Sequence, residues 1–314
     1  MLGVSVTHRR RRVALLVLTA VLAGSGIGTA WLLRDPLPYF QQRRSSLSGV
    51  VESDAILDDG YELQPVRLVA SSGLEVELMV RRAVADSARR LPLVVLLGGH
   101  ATGRSAARLL GDTRGLLVAA LSYPFTGNHR PDPVTFVREI PKIRTAFLDT
   151  PPALMLALDY LMRRPDVDTT RVEAAGVSLG VPFVCIASAL DQRFTRTWAI
   201  HGSGGSYVPL EMNMRRTIPF APVRLPAAVI ANVIIAGPRL DPARWVAHIA
   251  PRSFVMLNAE GDKQLPRHVI EALYRSAGHP KQLVWLRGTH VRPDTSVVRA
   301  LAAMVVERIR ADSP

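Results

Sequence analysis

The chain has 314 residues, of which 48% are hydrophobic, and its formal net charge at pH 7 is +13. Seven arginines lie within residues 1–44, and the remainder contains no basic run interleaved with aromatic residues, so the charge does not predict a nucleic-acid partner. Cys185 is the only cysteine, which excludes an intramolecular disulfide and a cysteine-rich metal site. Its apolar neighbours predict a small buried core residue.

Residues 1–34 combine a basic start with an apolar segment. Four arginines at 9–12 precede residues 13–33, which carry no charge and would form a helix about 31 Å long, enough to cross a bilayer. The arginines should stay in the cytoplasm, so the sequence predicts a membrane anchor with the rest of the chain on the extracytoplasmic side. The alternative is a cleaved signal peptide, with an apolar core at 13–23 and an exported product.

Residues 35–54 are polar and are predicted to form a linker, with the folded domain at 55–314. The domain opens with residues 62–70 and 74–81, whose alternating pattern predicts an antiparallel pair of strands.

The pattern then changes to a parallel α/β domain. Residues 91–97 form a continuous apolar run ending in two glycines, as expected of a central strand buried on both faces. Helical segments separate most of the later strands, which predicts a mostly parallel sheet with helices on both faces. The further strands are predicted at 116–121, 172–175, 197–200, 254–257 and 283–286, and the helices at 104–110, 152–162, 181–190, 268–276 and 297–309.

Residues 203–250 break this alternation and are named the cap segment. They contain a proline-punctuated apolar series, which we interpret as an insertion over the site that could shape an acyl or alcohol pocket. Ordinary connecting helices that fill the core are the alternative.

Ser178 lies in the pentapeptide Gly-Val-Ser-Leu-Gly at 176–180, between a predicted strand and a predicted helix. This context is typical of a nucleophile elbow, in which flanking glycines permit a sharp turn that exposes the serine hydroxyl. The start of the following helix favours negative charge at the same place.

A serine nucleophile needs a base and an acid that orients the base. His290 follows one predicted strand and Asp262 follows the strand before it, so both should lie at the carboxyl edge of the sheet, near Ser178. Glu260 is the alternative acid. Asp262 could instead cap a helix, and His290 could be a solvated loop residue.

The order Ser178, Asp262, His290 resembles that of the α/β-hydrolase superfamily, and the resemblance covers roughly residues 62–309. Residues 156–180, including Arg164, Pro165 and the elbow, are similar to the dienelactone-hydrolase, acetyl-xylan-esterase and prolyl-oligopeptidase-like branches, in which Asp166 and Asp168 would be structural. The resemblance implies an oxyanion hole formed by the backbone amides of Leu179 and of the loop after the strand at 91–97, at His100.

These features predict a serine hydrolase that cleaves a small-molecule carboxylic ester through an acyl-enzyme, without a cofactor or a metal. The remaining histidines near the site, His129 and His201, are expected to be pocket or structural residues. A peptidase or amidase with the same triad is one alternative, and a non-catalytic binding protein that retains the fold is the other.

Overall fold

The computed structural model describes residues 26, 28–99, 102–127, 133–290 and 295–311. The chain divides into two compact units, Met1–Asp35 and Pro36–Pro314. In the first, residues 28–32 are helical. Most of the predicted membrane segment 13–33 lies outside the described residues. Among the helices that the structure does describe, none is both long enough and apolar enough to span a bilayer.

The second unit is built on one ten-stranded sheet, in the order β1-β3-β4-β6-β5-β7-β8-β9-β10, with β2 paired to β3. Strands β5 to β10 are mutually parallel, whereas β1 to β4 pair in antiparallel fashion and β4 joins β6 antiparallel. The strands are β1 Leu47–Glu52, β2 Ile56–Asp58, β3 Tyr61–Ala70, β4 Glu75–Ala83, β5 Leu91–Leu97, β6 Leu117–Leu121, β7 Val167–Val177, β8 Arg196–Ile200, β9 Ser253–Ala259 and β10 Lys281–Leu286.

Helices cover both faces of this sheet, so the predicted fold class is confirmed. The described helices are α1 Leu37–Arg44, α2 Ala106–Leu109, α3 Pro133–Leu161, α4 Gly180–Leu190, α5 Tyr207–Met214, α6 Ala221–Ile234, α7 Gly237–Leu240, α8 Arg267–Ser276 and α9 Thr295–Ala311.

The central strand β5 explains why the core has two sides. Its side chains point alternately to opposite faces, and all seven residues are buried. Leu93 and Val95 pack with α3 and α4 on one face, whereas Val94 and Leu96 pack with α9 on the other. A continuous apolar run is therefore what this position requires.

Of residues 35–54, predicted to be a linker, 36–54 are instead part of the second unit, because they contain α1 and all of β1. Phe40 of α1 is fully buried, and its ring lies 6.2 Å from that of Trp245. Arg43 donates two hydrogen bonds to the buried carboxylate of Asp149, at 2.8 and 2.7 Å. The charge of Arg43 is thus paired with a carboxylate 106 residues away in the sequence.

Helix α3 is also longer than predicted, since the predicted helix covered only 152–162. Proline normally ends a helix or kinks it, because it lacks the amide hydrogen and its ring crowds the preceding turn. Here Pro141, Pro151 and Pro152 all lie inside the helix. The packing of its second half against β5 and α4 outweighs this local preference.

Replacing Phe40 by alanine tests whether α1 belongs to the fold. We expect Phe40→Ala to lower the free energy of unfolding by about 3 kcal/mol, since a large ring is removed from a closed site. Chemical denaturation measures the change, with Val51→Ala as the control, because Val51 of β1 is 59% exposed and should cost less than about 1 kcal/mol. Equal effects of the two substitutions would contradict the assignment of α1 to the core.

Candidate active site

Ser178 occupies the turn between β7 and α4, at the carboxyl edge of the parallel strands. Its φ is +52°, a left-handed conformation that is uncommon for a residue with a side chain. Its backbone amide donates to the carbonyl of Ile200 at 2.8 Å, which ties the turn to the neighbouring strand β8. Surrounding structure therefore imposes the strained angle, as is usual at functional sites.

The two glycines of the pentapeptide are required by close backbone approach. A Cβ at Gly180 would collide with the carbonyl oxygen of Leu97, at the end of β5. A Cβ at Gly176 would lie 2.5 Å from Cγ2 of Val184 and 2.8 Å from the carbonyl oxygen of Gly180. The turn can thus pack against β5 only when both positions lack a side chain.

The structure brings Ser178, His290 and Asp262 together. Ser178 Oγ lies 2.9 Å from Nε2 of His290, and Nδ1 of the same ring lies 2.6 Å from Oδ2 of Asp262. An ionised carboxylate only accepts hydrogen bonds, so Nδ1 carries the proton and Nε2 of a neutral ring can accept from the serine hydroxyl. The arrangement is a continuous path for a proton leaving Ser178.

The environment of Asp262 keeps its carboxylate charged. Its side chain is only 1% exposed, and burial by itself would raise the pKa. His201 and His290 beside the carboxylate, together with the backbone amide of Gln264, hold the pKa of Asp262 well below its usual range. The amides of Gln264 and Leu265 donate to Oδ1 at 2.8 and 3.0 Å, leaving Oδ2 for His290.

Glu260, the alternative acid, does not occupy a comparable position. It is exposed, and its amide pairs with the carbonyl of Leu286 at 2.9 Å. Among the described residues, no hydrogen bond or ion pair joins its carboxylate to His290. The geometry therefore selects Asp262 as the partner of the imidazole.

Of the two residues whose amides are predicted to form the oxyanion hole, the structure describes only Leu179. Leu179 precedes the first residue of α4 and borders the cavity beside Ser178, so its amide is among those at the helix start that lack an intrahelical acceptor. His100 lies outside the described residues, as do Ala101 and His129. Gly99 does reach the site, because a Cβ placed there would lie 4.0 Å from the Cβ of Ser178.

His201 lies beside both His290 and Asp262, which its position in the sequence did not predict. It follows β8 with a φ of +51°, is 2% exposed, and its ring meets that of His290 edge to face at 5.2 Å. Its Nδ1 lies 3.5 Å from Oδ2 of Asp262, too far for a strong hydrogen bond. The sequence signal was a histidine at a strand end, which gives the residue's location but not its neighbours.

Among the described residues, His201, Asp262 and His290 also form a cluster whose ligand atoms are close enough together to hold a cation. Their ligand atoms all lie within 4.8 Å of one another. In this structure, however, both His290 nitrogens and the Asp262 carboxylate are engaged in the path to Ser178. A proton path accounts for these contacts without a metal.

A cavity of about 1300 Å³ opens beside Ser178. This volume exceeds the 300–1,000 Å³ typical of small-molecule sites. Its walls are mainly apolar, and they are formed by the sheet, by α3, α4 and α9, and by α5 and α6 of the cap segment. Polar side chains on its lining include Ser203, Asn213, Arg216 and Gln264, in addition to those at the serine.

Cys185 offers no second nucleophile. It is fully buried in α4, as its apolar neighbours predicted, and burial raises the pKa of its thiol far above its ordinary value. The serine at the elbow is therefore the accessible nucleophile of this region.

Comparison with solved structures identifies the architecture. Acetyl xylan esterase 1 from Thermoanaerobacterium sp. JW/SL YS485 superimposes with a TM-score of 0.60 at 14% identity, over 88% of this chain and 94% of the esterase. An acetyl xylan esterase from Paenibacillus sp. R4 gives 0.56 at 16% identity, over 86% and 90% of the two chains. A cold-adapted esterase from an Arctic intertidal metagenomic library gives 0.53 at 14%, over 84% and 99%.

No protein-family model matches the sequence, and no curated protein matches it. At identities this low, the likeness to the three esterases establishes the fold and not the reaction. Together with the mostly parallel sheet and the serine turn after β7, it shows that the chain has the α/β-hydrolase fold.

Proposed function

We propose that the protein is a serine hydrolase that cleaves carboxylic esters through an acyl-enzyme. The observation that carries the proposal is the hydrogen-bonded path from Ser178 through His290 to Asp262, at 2.9 and 2.6 Å. It occurs on a strained turn at the edge of a large cavity. Nucleophile, base and orienting acid are the groups that acyl transfer needs.

The reaction follows from these positions. Ser178 Oγ attacks the ester carbonyl carbon while Nε2 of His290 takes the hydroxyl proton, and the amide of Leu179 stabilises the oxyanion. Collapse of this intermediate breaks the bond to the alcohol, which leaves with the proton from His290. Water then attacks the acyl-serine, again giving its proton to His290, and the acid departs as Ser178 regains the proton.

Asp262 has two tasks in this cycle. Its carboxylate accepts from Nδ1, which fixes the imidazole tautomer with Nε2 free to act as base. Its negative charge stabilises the imidazolium that forms in each half of the reaction. The lowered pKa of Asp262 serves both tasks, because the carboxylate stays ionised at pH values well below neutral.

The cavity favours an ester with an apolar part of considerable size. Acetyl groups would leave most of the 1300 Å³ unfilled, whereas a longer acyl or alcohol chain would contact α6 and α9. The neighbours described as esterases support ester over amide, although two of them are named for acetylated xylan. Peptidase activity and a non-catalytic binding role are the alternatives that the experiments below distinguish.

We also propose that the protein acts outside the cytoplasm, anchored by the segment 13–33 or exported after its removal. This proposal rests on the arginines at 9–12 and on the uncharged residues after them.

Labelling by a fluorophosphonate tests the nucleophile. We expect Ser178→Ala to abolish labelling, and Asp262→Asn and His290→Ala to slow both labelling and ester hydrolysis by about a thousandfold or more, because base and orienting acid act as a unit. Glu260→Gln is the matched control and should keep the wild-type rate. A folded wild-type protein that resists labelling would instead support a binding protein.

The low pKa of Asp262 predicts a specific pH dependence of stability. Below about pH 4 the unfolded chain binds a proton at this residue and the native protein does not, so wild-type stability falls by up to about 1.4 kcal/mol per pH unit from this group. Asp262→Asn lacks that contribution. Denaturant unfolding should show the difference between the two proteins shrinking as the pH falls below about 4; a difference that stays constant or grows in that range would contradict the shift.

Esters of graded chain length test the use of the cavity. We expect kcat/KM on p-nitrophenyl esters to rise from acetyl to longer acyl groups, by up to about fourfold per buried methylene. Ala231→Phe on the cavity side of α6 should remove this gain and leave acetyl hydrolysis intact. Val229→Phe, on the outward side of the same helix, is the control; preference for aminoacyl amides in wild type would favour the peptidase alternative.

A further inference from the structure

The outward side of α6 is an apolar surface exposed to solvent. Val229 and Ile230 are 52% and 60% exposed, and Phe220, directly before the helix, is 65% exposed. Pro222 and Pro226 are also exposed on this side. We name this surface the α6 face, consisting of Phe220, Pro222, Val223, Leu225, Pro226, Val229 and Ile230. Soluble proteins seldom leave so many large apolar side chains together unless the patch has a partner.

The inward side of the same helix reaches the cavity. Ala227, Ala231 and Ile234 line it, and Ile230 both lines it and belongs to the α6 face. One helix therefore separates the cavity from the exposed apolar surface. The distance from the α6 face to the cavity is no more than the width of a helix.

The charges beside the α6 face are mostly positive. The only charged residue of α6, Arg224, is buried; it donates to Glu211 at 2.7 Å and to the carbonyl of Pro219 at 2.6 Å. The α6 face itself carries no charge. Arg215 and Arg216, just before it in the chain, are exposed. The buried carboxylate of Glu211 pairs with both Arg215, at 3.1 Å, and Arg224, so three arginines and one carboxylate lie at this end of the helix.

An apolar helix face with arginines beside it is complementary to an anionic lipid surface. Apolar side chains enter the boundary between headgroups and acyl chains, while arginines remain among the phosphates. A second copy of the chain would bring the same excess of positive charge to this place. Where the predicted segment 13–33 is retained as an anchor, it also holds the domain beside a bilayer.

We propose that the α6 face docks on the surface of an anionic lipid bilayer, so that the cavity beside Ser178 opens next to the lipid. Where the proposed esterase function holds, the docked protein receives esters with long apolar chains from the bilayer. Docking itself requires no reaction at Ser178, so it can be measured without turnover.

A fluorescent label can report docking in the full-length protein. Cys185 is the only cysteine and is fully buried, so a cysteine introduced at an exposed position is labelled selectively. Val229→Cys places an environment-sensitive nitrobenzoxadiazole group on the α6 face. Val84→Cys is the matched control, because Val84 is 43% exposed and follows β4 at the opposite, amino edge of the parallel strands.

Both labelled proteins are reconstituted with vesicles of phosphatidylcholine containing phosphatidylserine, with or without spin-labelled acyl chains. We expect the label at 229 to shift its emission to shorter wavelength and to lose intensity when the acyl chains carry the quencher, whereas the label at 84 does neither. The effect should be weaker in vesicles of phosphatidylcholine alone.

Equal quenching at both positions, or none at 229, would overturn the proposal. A blue shift at 229 that needs no lipid and grows with protein concentration would also overturn it, by identifying a second copy as the partner. Fluorophosphonate labelling of Ser178 on the same samples reports the proposed function separately, so either result can fail while the other stands.

Discussion

The contact between the serine turn and the end of β5 is the constraint on which the site depends. Gly180 lies so close to the carbonyl of Leu97 that even a methyl group would not fit, and Ser178 must adopt a left-handed backbone to complete the turn. That approach fixes where α4 begins, and with it the amides that face the serine. The hydroxyl, the helix start and the carboxyl ends of β9 and β10 are thereby brought to one edge.

Much of this architecture could be predicted because the determining signals are local. A strand buried on both faces must be continuously apolar, so β5 is visible in the sequence without any partner. The elbow is visible for a similar reason, since its two glycines and its flanking strand and helix occur within a few residues. Asp262 and His290 could be placed because each directly follows a predictable strand.

The features that sequence reasoning missed depend on distant partners. From the sequence, Arg43 is expected to be solvated, but in the structure it binds Asp149. Phe40 has no apolar partner nearby in the sequence, but in the structure its ring packs against that of Trp245. The sequence places His201 at the end of a predicted strand but does not show which residues lie beside it. Its contact with Asp262 arises because β8 lies beside β9 in the sheet, a neighbour relation that no spacing in the sequence reveals.

The bridge from α1 to α3 has a mechanical consequence. Tyr39 and Arg43 both bind the carboxylate of Asp149, at 2.6 to 2.8 Å. Two residues earlier on α3, Phe147 lines the cavity and packs edge-on against Phe183 of α4. Because α1 precedes β1 in the chain, a force applied at Pro36 would reach α1 first and pass through the Asp149 contacts to α3 and the cavity wall. The hydrogen bonds of Tyr39 and Arg43 therefore hold the second unit together close to its first residue.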